Sequence, residues 1–136
     1  MTTRLHATCV AIGGRGVLIT GASGAGKSDL ALRLIDRGAV LVSDDQVLLA
    51  RRGVLLYACA PATIAGKLEV RGLGIVDVPT VADVSLALAV RLGPPERLPE
   101  ARCCSINGIE VAGIVVAPFE PSAPVKVEWA LRAVAA

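Results

Sequence analysis

The sequence predicts an α/β domain with a mixed β-sheet, and three features support this expectation. Apolar residues make up 54% of the 136 positions, with one Phe, one Tyr and one Trp, so the core must consist of Val, Leu, Ile and Ala. Such a core suits buried strands flanked by helices. Residues 16–45 follow the order strand, glycine-rich loop, helix, strand, acidic pair, and hairpin signals lie on both sides of this unit. The length corresponds to a single domain over residues 1–136.

The N-terminal part of the chain predicts a hairpin, a helix and a strand. β-rich runs at residues 5–12 and 16–20 are joined by a glycine-rich turn, which is typical of a hairpin. After the glycine-rich loop, residues 27–38 predict a helix with one apolar face that ends at Gly38. Residues 39–43, AVLVS, are a short apolar run of the kind found in strands that are buried on both faces.

The remaining elements are predicted from similar signals. In chain order they are a hairpin over residues 46–58, a helical turn at 61–67, a strand at 84–90, a Pro-rich surface loop at 93–102, a hairpin around 107–108 and a helix at 125–136. Asn107 and Gly108 give the strongest hairpin signal, because both tolerate the positive φ that a type I′ turn requires.

The glycine-rich loop has the spacing of a phosphate-binding loop. Its sequence GASGAGKS fits the P-loop pattern G-x-x-x-x-G-K-[ST], and its members are Gly21, Ala22, Ser23, Gly24, Ala25, Gly26, Lys27 and Ser28. In this pattern glycines let backbone N–H groups turn toward phosphate oxygens, the lysine reaches the β- and γ-phosphates, and the serine hydroxyl binds Mg²⁺. The N-terminus of the following helix adds its positive end. We therefore expect a Mg²⁺–nucleotide site here.

Such a site also requires a carboxylate at the end of a nearby strand, and LVSDD supplies Asp44 and Asp45. Adjacent residues of an extended segment point to opposite faces, so the two carboxylates cannot face a metal ion in the same way. One can bind Mg²⁺, directly or through water, while the other reaches an acceptor hydroxyl. The residues alone leave open which does which, and the simpler interpretation is an acidic strand end with turn propensity.

Composition excludes several other classes of function. The formal net charge of +2 and the scarcity of aromatic residues argue against a nucleic-acid partner. No apolar run reaches the roughly 18 residues of a membrane-spanning helix, and the N-terminus lacks a signal-peptide pattern, so a cytoplasmic protein is expected. The four cysteines form no CxxC pair and accompany no histidine cluster, which favours small hydrophobic side chains over zinc ligands.

Beyond GASGAGKS and VSDD, the segment LEVRGLGIVDV at residues 68–78 resembles the catalytic domain of HPr kinase/phosphorylase, a bacterial enzyme that acts on a serine of the phosphocarrier protein HPr. The resemblance extends from about residue 4 to the C-terminus, without the N-terminal domain of longer family members. It implies a P-loop nucleotide-binding domain related to PEP carboxykinase, ATP and Mg²⁺ as cofactors, and HPr or a related phosphocarrier as partner. It also implies removal of the phosphate by phosphorolysis and, for the family, assembly into hexamers.

The resemblance implies roles for individual residues. Lys27 and Ser28 match the phosphate and Mg²⁺ residues of the family. Asp44 and Asp45 match an acidic pair, one member of which is the general base toward the HPr serine, so both are candidate catalytic and metal-binding residues. His6 falls at a family histidine near the active site, whereas by itself a lone histidine at a strand start is more often an ordinary surface or core residue.

The segment at residues 68–78 contributes four further candidates. Glu69, Arg71, Gly72 and Gly74 match the family signature, and Glu69 is a candidate Mg²⁺ ligand. The simpler interpretation is an alternating strand with a polar face that ends at Gly72.

One part of the family pattern is absent. Near the C-terminus the family carries Gly-Arg-Asn, whose arginine helps at the active site, whereas this chain has Ser122-Ala123-Pro124. An arginine of this kind can contribute about 10³–10⁵ in rate, and Lys126 is the nearest candidate replacement.

Three functions are therefore compared. The favoured one is an ATP-dependent serine kinase acting on HPr, and the alternative is a nucleotide-binding regulatory module of the same fold that transfers no phosphate. The third is a small-molecule kinase or NTPase that shares only the P-loop, and the residue 69–74 signature argues against it.

Overall fold

A computed structural model describes residues 2–134, which form eleven β-strands and two α-helices. In chain order the elements are β1 (Thr2–His6), β2 (Thr8–Ile12), β3 (Arg15–Thr20), α1 (Lys27–Asp36), β4 (Val40–Ser43), β5 (Gln46–Arg52), β6 (Leu55–Cys59), a 3₁₀ turn (Ala62–Ile64), β7 (Lys67–Val70), β8 (Gly74–Asp77), β9 (Val84–Leu92), β10 (Arg102–Ile106), β11 (Ile109–Val116) and α2 (Ala123–Ala133). Nine of the strands form one curled sheet, and β7 and β8 form a separate hairpin.

The main layer of the sheet has the strand order β10-β11-β9-β3-β2-β4, with β10 antiparallel to β11. β3, β9 and β11 are parallel, whereas β2 pairs antiparallel with both β3 and β4. The carboxyl ends of β3, β4, β9 and β11 therefore lie at the same edge. This arrangement confirms the predicted mixed sheet, and it gathers at one edge the connections that carry the glycine-rich loop and the acidic pair.

A second layer consists of the antiparallel strands β1, β5 and β6. β6 pairs with the first residues of β9, which is where the sheet curls from one layer into the other. The apolar residues between the two layers are fully or almost fully buried: Ala7, Cys9, Ala11, Leu18, Val42, Val47, Leu49, Ala58 and Val84. The curl therefore gives the sheet a core of its own, in addition to the one beneath the helices.

Both helices pack on the other face of the main layer. Leu30, Ala31 and Leu34 of α1 are fully buried there, and α2 contributes Val127 and Leu131. The β7–β8 hairpin joins the same core through Leu68. Because α1 follows directly on the glycine-rich loop, this packing fixes the position of the loop relative to the sheet.

Hairpins encoded by short-range signals occur where the sequence predicts them. β2 and β3 are joined by a two-residue turn at Gly13 and Gly14, both with positive φ. Asn107 (φ 50°) and Gly108 (φ 79°) join β10 to β11, as expected for this dipeptide. The 3₁₀ turn and the predicted C-terminal helix are also present, although residues 135–136 of that helix prediction lie outside the described residues.

One strand prediction requires correction. Residues 5–12 form two strands, because the chain crosses from the second layer to the main layer at Ala7, whose N–H donates to the Asp45 carbonyl (3.1 Å). β4 is an edge strand of the main layer, and its burial on both faces is as predicted at Leu41, Val42 and Ser43, whereas its first residue, Val40, is exposed. Within residues 2–134, no helix has both the length and the apolar composition needed to cross a bilayer.

Candidate active site

A cleft of about 440 Å³ lies where the glycine-rich loop meets α1. Its walls come from the loop, the first turn of α1, the junction of β1 and β2, the turn after β4, the end of β7 and the β11–α2 connection. The cleft therefore sits at the edge of the main layer where parallel strands end, the usual location of ligands in α/β sheets.

The glycine-rich loop has the backbone conformation that its glycines make possible. Gly24 (φ 80°) and Gly26 (φ 106°) occupy the left-handed region, and an added Cβ at Gly26 would lie 2.8 Å from Phe119 Cζ. Ser23, Gly24, Gly26, Lys27 and Ser28 line the cleft, whereas Gly21, Ala22 and Ala25 do not. The requirement for glycine at position 26 is thus both conformational and steric.

Lys27 begins α1 and is directed back to the loop. Its ammonium group donates to the carbonyls of Gly21 (3.0 Å) and Ala22 (3.1 Å), and the side chain is 7% exposed. These contacts hold a buried cation beside the loop while leaving one donor of the ammonium group for an anion in the cleft.

Asp44 is a buried acceptor that does not itself line the cleft but lies behind three residues that do. Its Oδ1 accepts hydrogen bonds from the hydroxyls of Ser28 (2.7 Å) and Thr8 (2.9 Å), and its Oδ2 accepts from the backbone N–H of Glu69 (3.1 Å). The residue is 5% exposed. Three donors thus compensate for the burial of this carboxyl group and fix its orientation toward Ser28.

Asp45 occupies a different environment from its neighbour. Its backbone has φ 69°, its side chain is exposed at the cleft, and its Oδ1 lies 3.0 Å from His6 Nε2. A non-glycine residue in this backbone region is uncommon, although Asp tolerates it better than most. The structure places the two carboxylates apart, as predicted, with Ser28 beside one and His6 beside the other. The cause is the bend at residues 44–45 with its positive φ at Asp45, and not the alternation of an extended strand, because β4 ends at Ser43.

The β7–β8 hairpin forms another wall of the cleft. Glu69 and Arg71 line it, and Gly72 (φ 90°) and Gly74 (φ 99°) form the turn that follows. Nothing lies within 4 Å of an added Cβ at either glycine, so their role is to permit the turn rather than to allow close packing. The segment is a hairpin that presents its polar residues to the cleft.

Five residues that line the cleft were not predicted as site residues: Thr8, Asp29, Leu32, Val70 and Phe119. Thr8 is completely buried, lines the cleft and donates to Asp44; its position two residues after His6 on an extended chain was an available signal. Phe119 is 68% exposed and lies against Gly26. No local pattern marks Phe119, because its neighbour is nearly a hundred positions away in the sequence.

The structure does not bring Lys126 to the cleft. Its ammonium group pairs with Glu120 (2.7 Å) on the outer side of α2, and it is absent from the residues that line the cavity. Ala123 and Pro124, at the position of the expected arginine, are buried in the first turn of α2. Among residues 2–134, the Lys and Arg side chains that line the cleft are Lys27 and Arg71.

The oxygen atoms of Ser28 and Asp44 suit a magnesium ion that also binds phosphate and water, rather than a metal ion whose ligands all come from the protein. No group of three or more His, Cys, Asp or Glu side chains within the described part of the chain could hold a metal. Ser28 and Asp44 instead offer a hydroxyl and a carboxylate within 2.7 Å of each other beside the loop. Mg²⁺ is commonly bound by one or two protein oxygens together with phosphate and water.

The curated relatives of this chain carry a common name. HPr kinase/phosphorylase from Clostridium tetani is 48% identical over 89 residues, and the protein of the same name from Clostridium beijerinckii is 51% identical over 83 residues. These matches cover 65% and 61% of this chain, but 29% and 28% of the relatives. The chain thus matches less than a third of their length.

A solved structure extends the similarity along the chain. The Hpr(Ser) kinase/phosphatase from Coxiella burnetii superimposes with a TM-score of 0.83 at 33% identity, covering 96% of this chain and 94% of that one. The match confirms the mixed α/β fold. Residues 1–86 also match the family described as HPr Serine kinase C-terminal domain. This chain therefore belongs to the HPr serine kinase C-terminal domain family.

Proposed function

We propose that the protein is an ATP-dependent kinase that phosphorylates a serine of HPr or a related phosphocarrier protein. The observation that carries the proposal is the separation of Ser28–Asp44 from His6–Asp45 within one cleft beside the glycine-rich loop. One pair suits a metal-bound phosphate, and the other suits an acceptor hydroxyl. The shared name of the relatives supports HPr as the acceptor.

The loop and the start of α1 would bind the phosphates of the nucleotide. The positive φ of Gly24 and Gly26 allows successive backbone N–H groups to face an anion, and the N-terminus of α1 adds its partial positive charge. Lys27 is already buried beside these groups and can neutralise phosphate charge without moving far. These features support binding of the β- and γ-phosphates over the loop.

Ser28 and Asp44 would hold Mg²⁺, with Glu69 as a further oxygen donor at the edge of the cleft. The bound ion would neutralise charge that develops on the transferred phosphoryl group. Thr8 and the N–H of Glu69 keep Asp44 oriented for this role. The oxygen-only donor set agrees with the preference of Mg²⁺ for hard ligands.

Asp45 would act as the general base. Unlike Asp44, it is exposed to the cleft, and His6 can orient its carboxylate. The acceptor hydroxyl would lose its proton to Asp45 as its oxygen bonds to the γ-phosphorus, and the bond from that phosphorus to the bridging oxygen of ADP would break. Positioning and electrostatics do most of the catalytic work in such transfers.

Arg71 would take the role assigned in the family to the absent arginine. Apart from Lys27, it is the only Lys or Arg side chain that lines the cleft within residues 2–134. A guanidinium group can donate two hydrogen bonds to a phosphoryl group, which suits the charge of the transition state. In the reverse direction, an oxygen of inorganic phosphate would attack the phosphoserine phosphorus, and the bond from that phosphorus to the serine oxygen would break, which yields pyrophosphate. Asp45 would take the proton of the attacking phosphate and give it to the leaving serine oxygen.

A nucleotide-binding regulatory module is the second candidate. It is motivated by the replacement of the family arginine by Ala123, which lies in the core and can contribute no charge. In such a module the cleft would bind nucleotide, and no phosphate would appear on any acceptor.

The two candidates are separated by incubation of the protein with Mg²⁺–ATP and candidate HPr proteins. Intact and peptide mass spectrometry should show one phosphate on an HPr serine, with loss of transfer in Lys27→Ala and unchanged transfer in the matched variant Lys126→Ala. ATP binding without transfer would support the regulatory module. Absence of both binding and transfer would contradict both candidates.

A further inference from the structure

Phe119 is exposed in an unexpected place. It is the only Phe of the chain, it lies in the connection between β11 and α2, and 68% of its surface is accessible. Single exposed apolar residues are ordinary. What distinguishes this one is that its ring edge lies against Gly26 of the glycine-rich loop while the ring also lines the cleft.

The backbone on either side of Phe119 is fixed to α1. Arg33 donates to the Pro118 carbonyl and to the Glu120 carbonyl (3.2 Å), and it also pairs with Asp29 (3.0 Å). One arginine of α1 thus holds the residues before and after Phe119. The backbone that carries the ring is consequently held beside the loop before any ligand arrives, which reduces the entropy lost on binding.

The topology places Phe119 and Asp45 on opposite sides of the loop. The loop follows β3; β9 and β11 lie on one side of β3, and β2 and β4 lie on the other. Phe119 follows β11, and Asp45 follows β4, at the same edge of the sheet. A ligand whose phosphates lie over the loop can therefore extend one end toward Asp45 and the other toward Phe119.

The other aromatic side chains are engaged elsewhere. Tyr57 lies under the Arg52 guanidinium group (4.5 Å), and Trp129 lies beside that of Arg132 (5.3 Å). Within residues 2–134, Phe119 is the only Phe, Tyr or Trp that lines the cleft. Among the described residues, a base that stacks on an aromatic ring in this cleft would therefore stack on Phe119.

We propose that Phe119 is the stacking platform for the base of the nucleotide, and that it therefore distinguishes a nucleoside phosphate from an inorganic one. The proposal rests on the proposed nucleotide-binding function and adds the part of the ligand that the loop cannot recognise. The loop, Lys27 and Ser28 contact phosphates, which ATP, tripolyphosphate and pyrophosphate share. Stacking on Phe119 supplies affinity that only the ligands with a base can use, and it tolerates different bases because every base has a π-face.

The test compares two ligands with the same diphosphate group. Binding of ADP and of pyrophosphate, each with Mg²⁺, is measured by titration calorimetry for the wild type, Phe119→Ala, Phe119→Leu and Phe119→Trp. We expect Phe119→Ala to weaken ADP binding by about 5- to 100-fold and to leave pyrophosphate binding unchanged. Phe119→Leu keeps an apolar side chain on Gly26 without a ring and should resemble Ala, whereas Phe119→Trp should restore ADP affinity.

Trp129→Ala serves as the matched control, because Trp129 is also an exposed aromatic residue but lies on α2 outside the cleft. Equal weakening of ADP and pyrophosphate in Phe119→Ala and Phe119→Leu would overturn the proposal and make Phe119 a support for the loop. Unchanged affinity for both ligands would also overturn it, and a higher KM for the protein acceptor in the same variants would then assign Phe119 to acceptor docking. If the wild type binds neither ligand, the proposed function fails as well.

Discussion

Asp44 and Asp45 show how neighbouring residues of one type acquire different chemistry. Asp44 accepts three hydrogen bonds in a buried position, and Asp45 is exposed beside His6. The alternation of an extended chain predicts that the two side chains diverge. It could not assign their roles, because the donors that distinguish them, Thr8 and the Glu69 backbone, come from distant parts of the sequence.

Substitution by asparagine should separate the two roles. Asp44→Asn places an amide donor among three donors, so it should weaken Mg²⁺–ADP binding and lower the free energy of unfolding by about 1–3 kcal/mol. Asp45→Asn should leave nucleotide affinity and stability nearly unchanged but lower kcat by about 100-fold or more, since it removes the base. Calorimetry, urea unfolding and single-turnover transfer to HPr measure the three quantities. Identical behaviour of the two variants would refute the assignment.

Cys9 is the residue whose ionisation should affect stability. Complete burial raises the pKa of its thiol from 9.0 to about 12 through loss of hydration. The stability that the neutral thiol provides is therefore fully present below pH 9 and is lost as pH rises toward 12, because the unfolded chain ionises first. Unfolding in urea should show a steeper fall between pH 9 and 11 for the wild type than for Cys9→Ala. Parallel curves would show that Cys9 does not contribute.

Cys9 should also be unreactive toward alkylating reagents in the folded protein, in contrast to the exposed Cys103 and Cys104. An alkylating reagent at pH 8 should modify the exposed pair in the folded protein, and Cys9 only after denaturation.

Hairpins were predicted well, because their signals lie within a few residues of one another. The Asn107–Gly108 turn needs two positive φ angles, and the sequence supplies two residues that tolerate them. The division of residues 5–12 at Ala7 was missed, since it depends on a contact with the carbonyl of Asp45. Local patterns thus specified the turns, whereas the curl of the sheet follows from long-range pairing that no short window contains.

Gly108→Ala should destabilise the protein through the turn between β10 and β11. Alanine is strained at φ 79°, and its Cβ would lie 2.7 Å from Arg51 Nη1, which donates to the Asn107 carbonyl (3.0 Å). We expect a loss of about 1–2 kcal/mol in the free energy of unfolding, with unchanged affinity for ADP. Gly53→Ala has similar backbone strain without a nearby atom, so it should cost less. An equal cost for both variants would show that strain alone is responsible.

The two faces of the main layer cannot unfold independently. Val10 belongs to the core beneath the helices, and its neighbours Cys9 and Ala11 belong to the core between the layers. Adjacent residues of β3 divide in the same way, with Ile19 on one face and Leu18 on the other. The family match covers residues 1–86, whereas the structural match covers 96% of the chain. The C-terminal part therefore belongs to the same fold as the matched part. We therefore expect a single unfolding transition from the one predicted domain.

Nucleotide should shift that transition as a whole. A ligand that binds only the folded state at 100 times its Kd adds about 2.7 kcal/mol, which for a domain of this size should raise Tm by roughly 8 °C. Differential scanning calorimetry with Mg²⁺–ADP should show this rise for the wild type and for Lys126→Ala, whose side chain lies outside the cleft. Lys27→Ala should lose most of it, because the buried ammonium group beside the loop is absent. The contrary outcome is two transitions, only one of which responds to nucleotide. The layer around the glycine-rich loop would then fold independently of β1, β5 and β6, and the strands shared by the two cores would not couple their unfolding.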